Sequence, residues 1–204
     1  GIGTLAAADP ERYLLVAAQE SAGACVAWAG RALGFESAEG VDFAAFDDAA
    51  AGVAPDLARP FFFPWLGGER VPVDDRYLRG GFAGLSASDG RAELARAVLE
   101  GVALNIRWAM GAIDRLRGSD EVSVRFLGGG ARSAVWGRLL ADVLQRPLET
   151  VRAPELGGAL GAAMTAAVAV GWFAGLDAAM EMARVGERYE PDVGLEGHYR
   201  ARFD

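Results

Sequence analysis

Three consecutive glycines between a strand-like and a helix-like segment constrain this chain more than any other feature. Val122, Val124 and Phe126 alternate with Ser123 and Arg125, the two-residue period of a β-strand. Gly128, Gly129 and Gly130 then allow backbone shapes and close approaches that a side chain forbids. Ser133 is a favourable N-cap, and Trp136, Leu139, Leu140, Val143 and Leu144 recur at helical spacing. The stretch reads strand, glycine turn, helix. Such a unit sets the free N–H groups of a helix N-terminus at the end of a strand, where a phosphate group can bind. The plainer alternative is a turn that only lets a helix pack close to a sheet. The spacing matches neither the dinucleotide fingerprint nor the P-loop. The chain contains no lysine, so a P-loop lysine is excluded outright.

The remaining elements alternate around this unit. Tyr13 to Ala18 is an apolar run suited to a buried strand, and Ile2 to Leu5 reads as the end of another. Ser21 opens a helix stopped by Gly34, and a short helix is expected from Phe43 to Ala51. Phe61 to Trp65 reads as a buried extended segment. A long loop rich in Gly, Pro and charge runs from Leu66 to Gly81, with Glu69 and Arg70 expected to pin it as an internal salt bridge. The longest helix spans Arg91 to Arg117, with Leu94, Val98, Leu99, Val102, Ile106, Met110 and Ile113 as its apolar stripe; Gly101 and Asn105 point to a close helix contact. Pro147 to Val151 is a short strand. Gly157 to Ala163 opens a helix so small-sided that another backbone is expected against it. Asp177 to Arg184 is the last amphipathic helix, and the tail from Tyr189 is expected on the surface. Alternating elements with glycine at strand ends indicate an α/β fold, a sheet with helices on its faces.

Composition removes whole classes of function. A net charge of −8 argues against nucleic acid, whose binding needs a basic face. No apolar run reaches membrane-spanning length without interruption. Cys25 is alone, which rules out a disulfide framework and a thiolate metal cluster. With no visible signal peptide and no initiator methionine, the expectation is a cytoplasmic protein whose N-terminal part has been removed.

Several blocks together resemble the FGGY carbohydrate kinases. They are Phe63-Pro-Trp-Leu-Gly-Gly-Glu-Arg-Val-Pro72, Arg79-Gly-Gly-Phe-Ala-Gly-Leu-Ser86 and Ala95-Arg-Ala-Val-Leu-Glu-Gly-Val-Ala103. Gly128-Gly-Gly-Ala-Arg-Ser133 with Ala141 and Asp142, and Gly158-Ala-Leu-Gly-Ala-Ala163, follow in the family's order. The resemblance implies that residues 1–204 are the C-terminal, nucleotide-binding domain of a two-domain sugar kinase. It implies the RNase H-like fold of the actin and hexokinase superfamily, a mixed sheet flanked by helices, here lacking its first strand or strands. By the same resemblance, the sugar pocket, the metal-binding aspartate and the general-base aspartate belong to an N-terminal domain upstream of residue 1. No catalytic or metal-binding residue is therefore assigned to this chain. Gly128, Gly129, Gly130 and Ser133 fall on the loop that receives adenosine and the α-phosphate, and Gly84 on a second wall of the nucleotide pocket. The implied reaction transfers the γ-phosphoryl group of ATP, with Mg2+, to a hydroxyl of xylulose or a related ketose or polyol. The implied partners are the nucleotide, and the sugar by way of the N-terminal domain. A cleft face left uncovered predicts self-association, a homodimer or larger species. A non-catalytic actin-like module, binding nucleotide or driving oligomerisation, stays open as the alternative.

Other polar residues are assigned plain roles. His198 is read as structural. Asp142 is read as making a helix-interior hydrogen bond or salt bridge rather than binding magnesium. Asp47-Asp48 and Asp74-Asp75 are read as solvated turns rather than acid/base pairs, and Trp65 as a core side chain with some claim to a cleft.

Overall fold

A computed structural model describes residues 1–9, 11–118 and 123–204. Val122, the expected start of the strand before the glycines, lies outside the described residues. Among the described residues nineteen elements follow one another, and the longest helix runs through their centre. In order they are β1 (Ile2–Ala6), β2 (Tyr13–Ala17), α1 (Ala22–Ala32), β3 (Glu36–Ser37), β4 (Gly40–Val41), α2 (Phe43–Ala51), β5 (Phe61–Phe63), β6 (Gly81–Ala83) and α3 (Arg91–Arg117). Then come β7 (Val124–Phe126), a 3-10 turn (Gly129–Arg132), α4 (Ala134–Leu144), β8 (Leu148–Val151), a second 3-10 turn (Pro154–Leu156) and α5 (Gly157–Ala169). The chain closes with α6 (Leu176–Met180), β9 (Val185–Tyr189), a 3-10 turn (Val193–Leu195) and α7 (Glu196–Phe203).

The axis of the molecule is α3. The Glu93 carboxylate accepts a hydrogen bond from Gly90 N (2.9 Å) at its start, and Gly118 ends it in a left-handed turn. Ala97 to Asn105 is buried without a break, because α1, α2, α4 and β5 pack around this half of the helix. The close contact expected at Gly101 is made to a strand rather than to a helix: a Cβ there would stand 2.1 Å from the Phe62 carbonyl oxygen of β5.

The α/β class holds, but the strands form several small sheets. β7 pairs parallel with β8 across the α4 connection, and β9 adds antiparallel to β8, giving a mixed three-stranded sheet. β1 and β2 form a separate antiparallel ribbon. That ribbon corrects the expectation of a buried strand at Tyr13, since Tyr13 is 76% and Leu14 53% exposed. Leu15 to Ala17 are partly covered, where β2 meets α3. β1 and β7 each leave one edge without a partner there.

Three further expectations change. Arg70 pairs with Glu20 rather than with Glu69. The Glu69 carboxylate is itself buried and accepts from the backbone of Glu20 (2.9 Å) and Arg70 (2.8 Å) and from Asn105 Nδ2 (3.0 Å). The loop is pinned by a hydrogen-bonded carboxylate, which needs no cation once its lone pairs are met. The expected helix from Asp177 to Arg184 is only the short α6. The tail is docked rather than superficial: Tyr199 is fully buried, and its hydroxyl accepts from Arg96 Nη2 (2.9 Å). Arg202, also buried, pairs with Glu100 (3.3 Å) and donates to the Pro60 carbonyl (3.0 Å). These partners are about a hundred residues apart in sequence, so no local pattern announces them.

Candidate nucleotide site

The glycine loop forms at the point where β7 gives way to α4. Gly128 has φ +91°, a left-handed conformation that a side chain resists. Its N–H donates to the Pro154 carbonyl (2.8 Å), tying the loop to the next 3-10 turn. Its carbonyl accepts from Ala131 N (3.1 Å), the first bond of the turn that follows. Gly129 and Gly130 precede that bond, so the turn makes no use of their N–H groups. Ser133 is extended, and its Oγ accepts from Trp136 N (2.9 Å), the expected N-cap of α4. Trp136, Leu139, Leu140, Val143 and Leu144 form the buried face of α4.

The three glycines have different reasons to be glycine. Gly128 needs its backbone angle. At Gly130 a Cβ would stand 2.6 Å from the Trp136 ring, which packs edge-on against Phe126 at 5.8 Å between centroids. Gly129 has neither reason: its φ is not positive, and nothing lies within 4 Å of where its Cβ would be. The space beside Gly129 is bare backbone facing outward.

One turn thus brings together Gly128, Gly129, Gly130 and Ser133. Gly84 belongs to a different element, the exit of β6, where its φ of +72° explains the glycine without a ligand. Asp47, expected in a solvated turn, lies on α2 instead. It is half-buried there, whereas Asp48 is exposed. Burial pushes its pKa up, the neighbouring Ser133 hydroxyl opposes this, and the charge of Asp48 raises it further. The half-buried position follows from α2 packing against α4, a tertiary fact that an Asp-Asp pair does not signal.

The remaining candidates settle into structural roles. Asp142 Oδ1 accepts from Asp192 N (2.8 Å), joining α4 to the tail. His198 lies edge-on to Tyr199 at 4.8 Å, and burial pushes its pKa down. Trp65 donates to Asn105 Oδ1 (3.2 Å) and lines a cavity of about 270 Å³ with Phe61, Phe63, Trp108 and Phe203, away from the glycine loop. Among the described residues no three His, Cys, Asp or Glu side chains gather to hold a metal ion.

Asp142 also gives a pH dependence. Burial raises its folded-state pKa above the unfolded value. The folded protein therefore binds the proton more readily, and this contribution to stability is full below the unfolded pKa and lost as pH rises through the raised one. Asp142→Asn keeps an acceptor for Asp192 N and removes the buried charge. It is expected to flatten this part of the pH profile and to gain stability at neutral pH. Asp142→Ala leaves that N–H unpaired and is expected to cost about 1–3 kcal/mol at every pH. Denaturant unfolding from pH 4 to 8 reads both.

The sequence profile of the FGGY family of carbohydrate kinases, C-terminal domain, matches residues 2–170. The chain belongs to the FGGY family. This FGGY domain is 37% identical over 161 residues to the xylulose kinase of Escherichia coli, covering 78% of the chain and 32% of that relative. It is 33% identical over 190 residues to the glycerol kinase of Gloeobacter violaceus, covering 92% of the chain and 37% of that relative. The ligand-bound xylulose kinase of Lactobacillus acidophilus superposes with a TM-score of 0.86 at 28% identity, over 99% of the chain and 40% of that protein. The chain thus spans about a third of the length of the curated relatives it matches. The matched region ends before α6, so the docked tail from α6 to α7 lies outside the family profile.

Proposed function

We propose that this FGGY domain is the nucleotide-holding half of an ATP-dependent sugar kinase, which moves the γ-phosphoryl group to a hydroxyl of xylulose or a related ketose or polyol. The observation that carries this reading is Gly129. Its neighbours are glycine for reasons internal to the fold, while Gly129 borders only open space. A ligand lying against the backbone accounts for it. In this reading the Gly129 and Gly130 N–H groups and the N-terminus of α4 face the adenosine and α-phosphate, and fixed dipoles there offset phosphate charge without reorganising. Gly84 borders the second wall. The proton acceptor for the sugar hydroxyl and the sugar pocket belong to a preceding domain. Magnesium would offset phosphate charge in such a reaction. No carboxylate cluster among the described residues suits it, so no step is assigned to it here.

The bare face of α5 supports a two-domain protein. The expectation of a backbone against its small residues is not met among the described residues: nothing there lies within 4 Å of a Cβ placed at Gly158 or Gly161. No residue of α5 is buried, and Leu127, Leu156 and Trp172 nearby are 46%, 58% and 79% exposed. A preceding domain covers this face in our reading, and the chain alone is expected to self-associate through it. Light scattering should show a dimer or larger species, and a monomer at high concentration contradicts it. No helix among the described residues is long and apolar enough to cross a membrane, and a cytoplasmic location goes with the kinase reading. The functional test is a sugar panel with ATP. The chain alone is expected to phosphorylate none of the sugars, and a version joined to its sugar-binding domain a ketose or polyol. Turnover by the chain alone would overturn the division of labour.

A further inference from the structure

The aromatic cavity between β5 and α3 has no part in the nucleotide reading. Phe62 is fully buried in the core, so alternation along the strand turns Phe61 and Phe63 to the opposite side. Trp65 continues that row: the Phe61 and Phe63 ring centroids lie 5.0 Å apart, and those of Phe63 and Trp65 5.1 Å. Facing the row, Gly101, Leu104, Asn105 and Trp108 fall on one face of α3 at helical spacing. Phe203 of α7 closes a further side, next to Arg202, which is buried against Glu100. Leu104 and Asn105 form a buried floor, whereas Trp108 and Phe203 at the rim are 40% and 38% exposed.

The walls are fixed before any ligand arrives. Trp65 Nε1 donates to Asn105 Oδ1 (3.2 Å), and Asn105 Nδ2 donates to Glu69 Oε2 (3.0 Å) and to the Val71 carbonyl (3.4 Å). These bonds use the donors of the floor and leave a second lone pair on Asn105 Oδ1. No charged side chain among the described residues lines the cavity. Arg202 and Arg107 instead stand over the Phe61 and Phe203 rings, 5.7 and 5.1 Å from their centroids. With guanidinium groups already on two of the rings and no carboxylate in the lining, a cation finds no compensation there. An anion would lose its hydration with no cation in the lining to meet it. Flat uncharged rings stack on such walls without either cost. An apolar cavity of about 150 Å³ is enough to hold benzene, so about 270 Å³ admits a fused two-ring molecule.

We propose that this cavity binds a small, flat, uncharged aromatic molecule carrying one hydrogen-bond donor, a class represented by indole. The rings of the ligand stack against the β5 row and Trp108, and its N–H donates to Asn105 Oδ1. The site is separate from the glycine loop and does not rest on the nucleotide reading.

The test is calorimetric titration of the chain with indole, 1-methylindole and tryptamine, with thermal unfolding and sedimentation velocity alongside. Indole is expected to bind saturably with a Kd below about 1 mM. 1-Methylindole lacks the donor and is expected to bind about tenfold more weakly, the scale of one lost hydrogen bond. Tryptamine is a cation and is expected to bind weaker than indole by about tenfold or more. Trp108→Ala and Phe203→Ala remove rim rings that lie outside the buried core. Each should leave the unfolding temperature nearly unchanged while weakening indole binding about five- to tenfold. Folded wild type that takes up no indole at millimolar concentration overturns the proposal. So does indole binding that both variants leave unchanged, or tryptamine that binds as tightly as indole. Self-association should be the same in Trp108→Ala as in wild type. A variant that is monomeric where the wild type is a dimer would assign the cavity to contacts between copies, and it too overturns the proposal.

Discussion

Gly101→Ala is expected to destabilise the domain by about 2–4 kcal/mol, although alanine is the better helix former. The added methyl would sit 2.1 Å from the Phe62 carbonyl oxygen, 2.9 Å from its carbon and 3.1 Å from its Cβ. None of these atoms can yield cheaply. Phe62 is fully buried and held between Trp28 and Phe82, with ring centroids 6.0 and 4.9 Å away, and its backbone is paired in the β5–β6 ribbon. On the other side, α3 is buried all round at this level. Relief requires moving the whole ribbon off the helix. Gly111→Ala in the same helix is the control. Its nearest neighbour is the end of the Arg115 side chain at 3.8 Å, so there the helix propensity acts alone and a gain of up to about 1 kcal/mol is expected. Denaturant unfolding of both variants separates the readings. Equal shifts in the two would show that the α3–β5 approach does not limit the fold.

The second large effect concerns ligand binding rather than folding. Gly129→Val should fold with nearly unchanged stability, because its site is open and its φ is not in the left-handed region. The same side chain would occupy the space assigned to the nucleotide, and affinity should fall on the order of a hundredfold or more. Gly130→Ala should behave in the opposite way. Its methyl meets the Trp136 ring at 2.6 Å, so stability falls with affinity. The adjacent pair therefore separates a ligand site from a packing turn. If Gly129→Val and Gly130→Ala lose stability alike and affinity alike, the loop is a packing device only.

Local chemistry made much of the fold legible. The limits of α2 and α3 follow from helical spacing and from Gly118 as a stop, and the glycine turn with its Ser133 cap follows from residue types alone. What escaped depends on partners distant in sequence. An apolar run such as Tyr13 to Ala17 records a capacity for burial without showing whether a covering surface belongs to the same chain. The small-sided α5 is the same case, with a face prepared for a neighbour that the described residues do not supply. The docking of α7 depends on Arg96, Glu100 and Arg202, whose charged side chains read locally as solvated. The left-handed φ falls on Gly128, whose N–H ties to Pro154, and a run of three glycines does not say which of them takes it. Asp47 was assigned to solvent because nothing in its own helix announces that α2 packs on α4.

Amide hydrogen exchange of the chain with and without ADP tests the nucleotide loop most directly, since it reads the backbone groups said to meet the ligand. ADP is expected to slow exchange across Gly129 to Trp136 in the wild type and to have no effect there in folded Gly129→Val. Bound ADP that slows exchange elsewhere and leaves Gly129 to Trp136 unchanged would contradict the assignment.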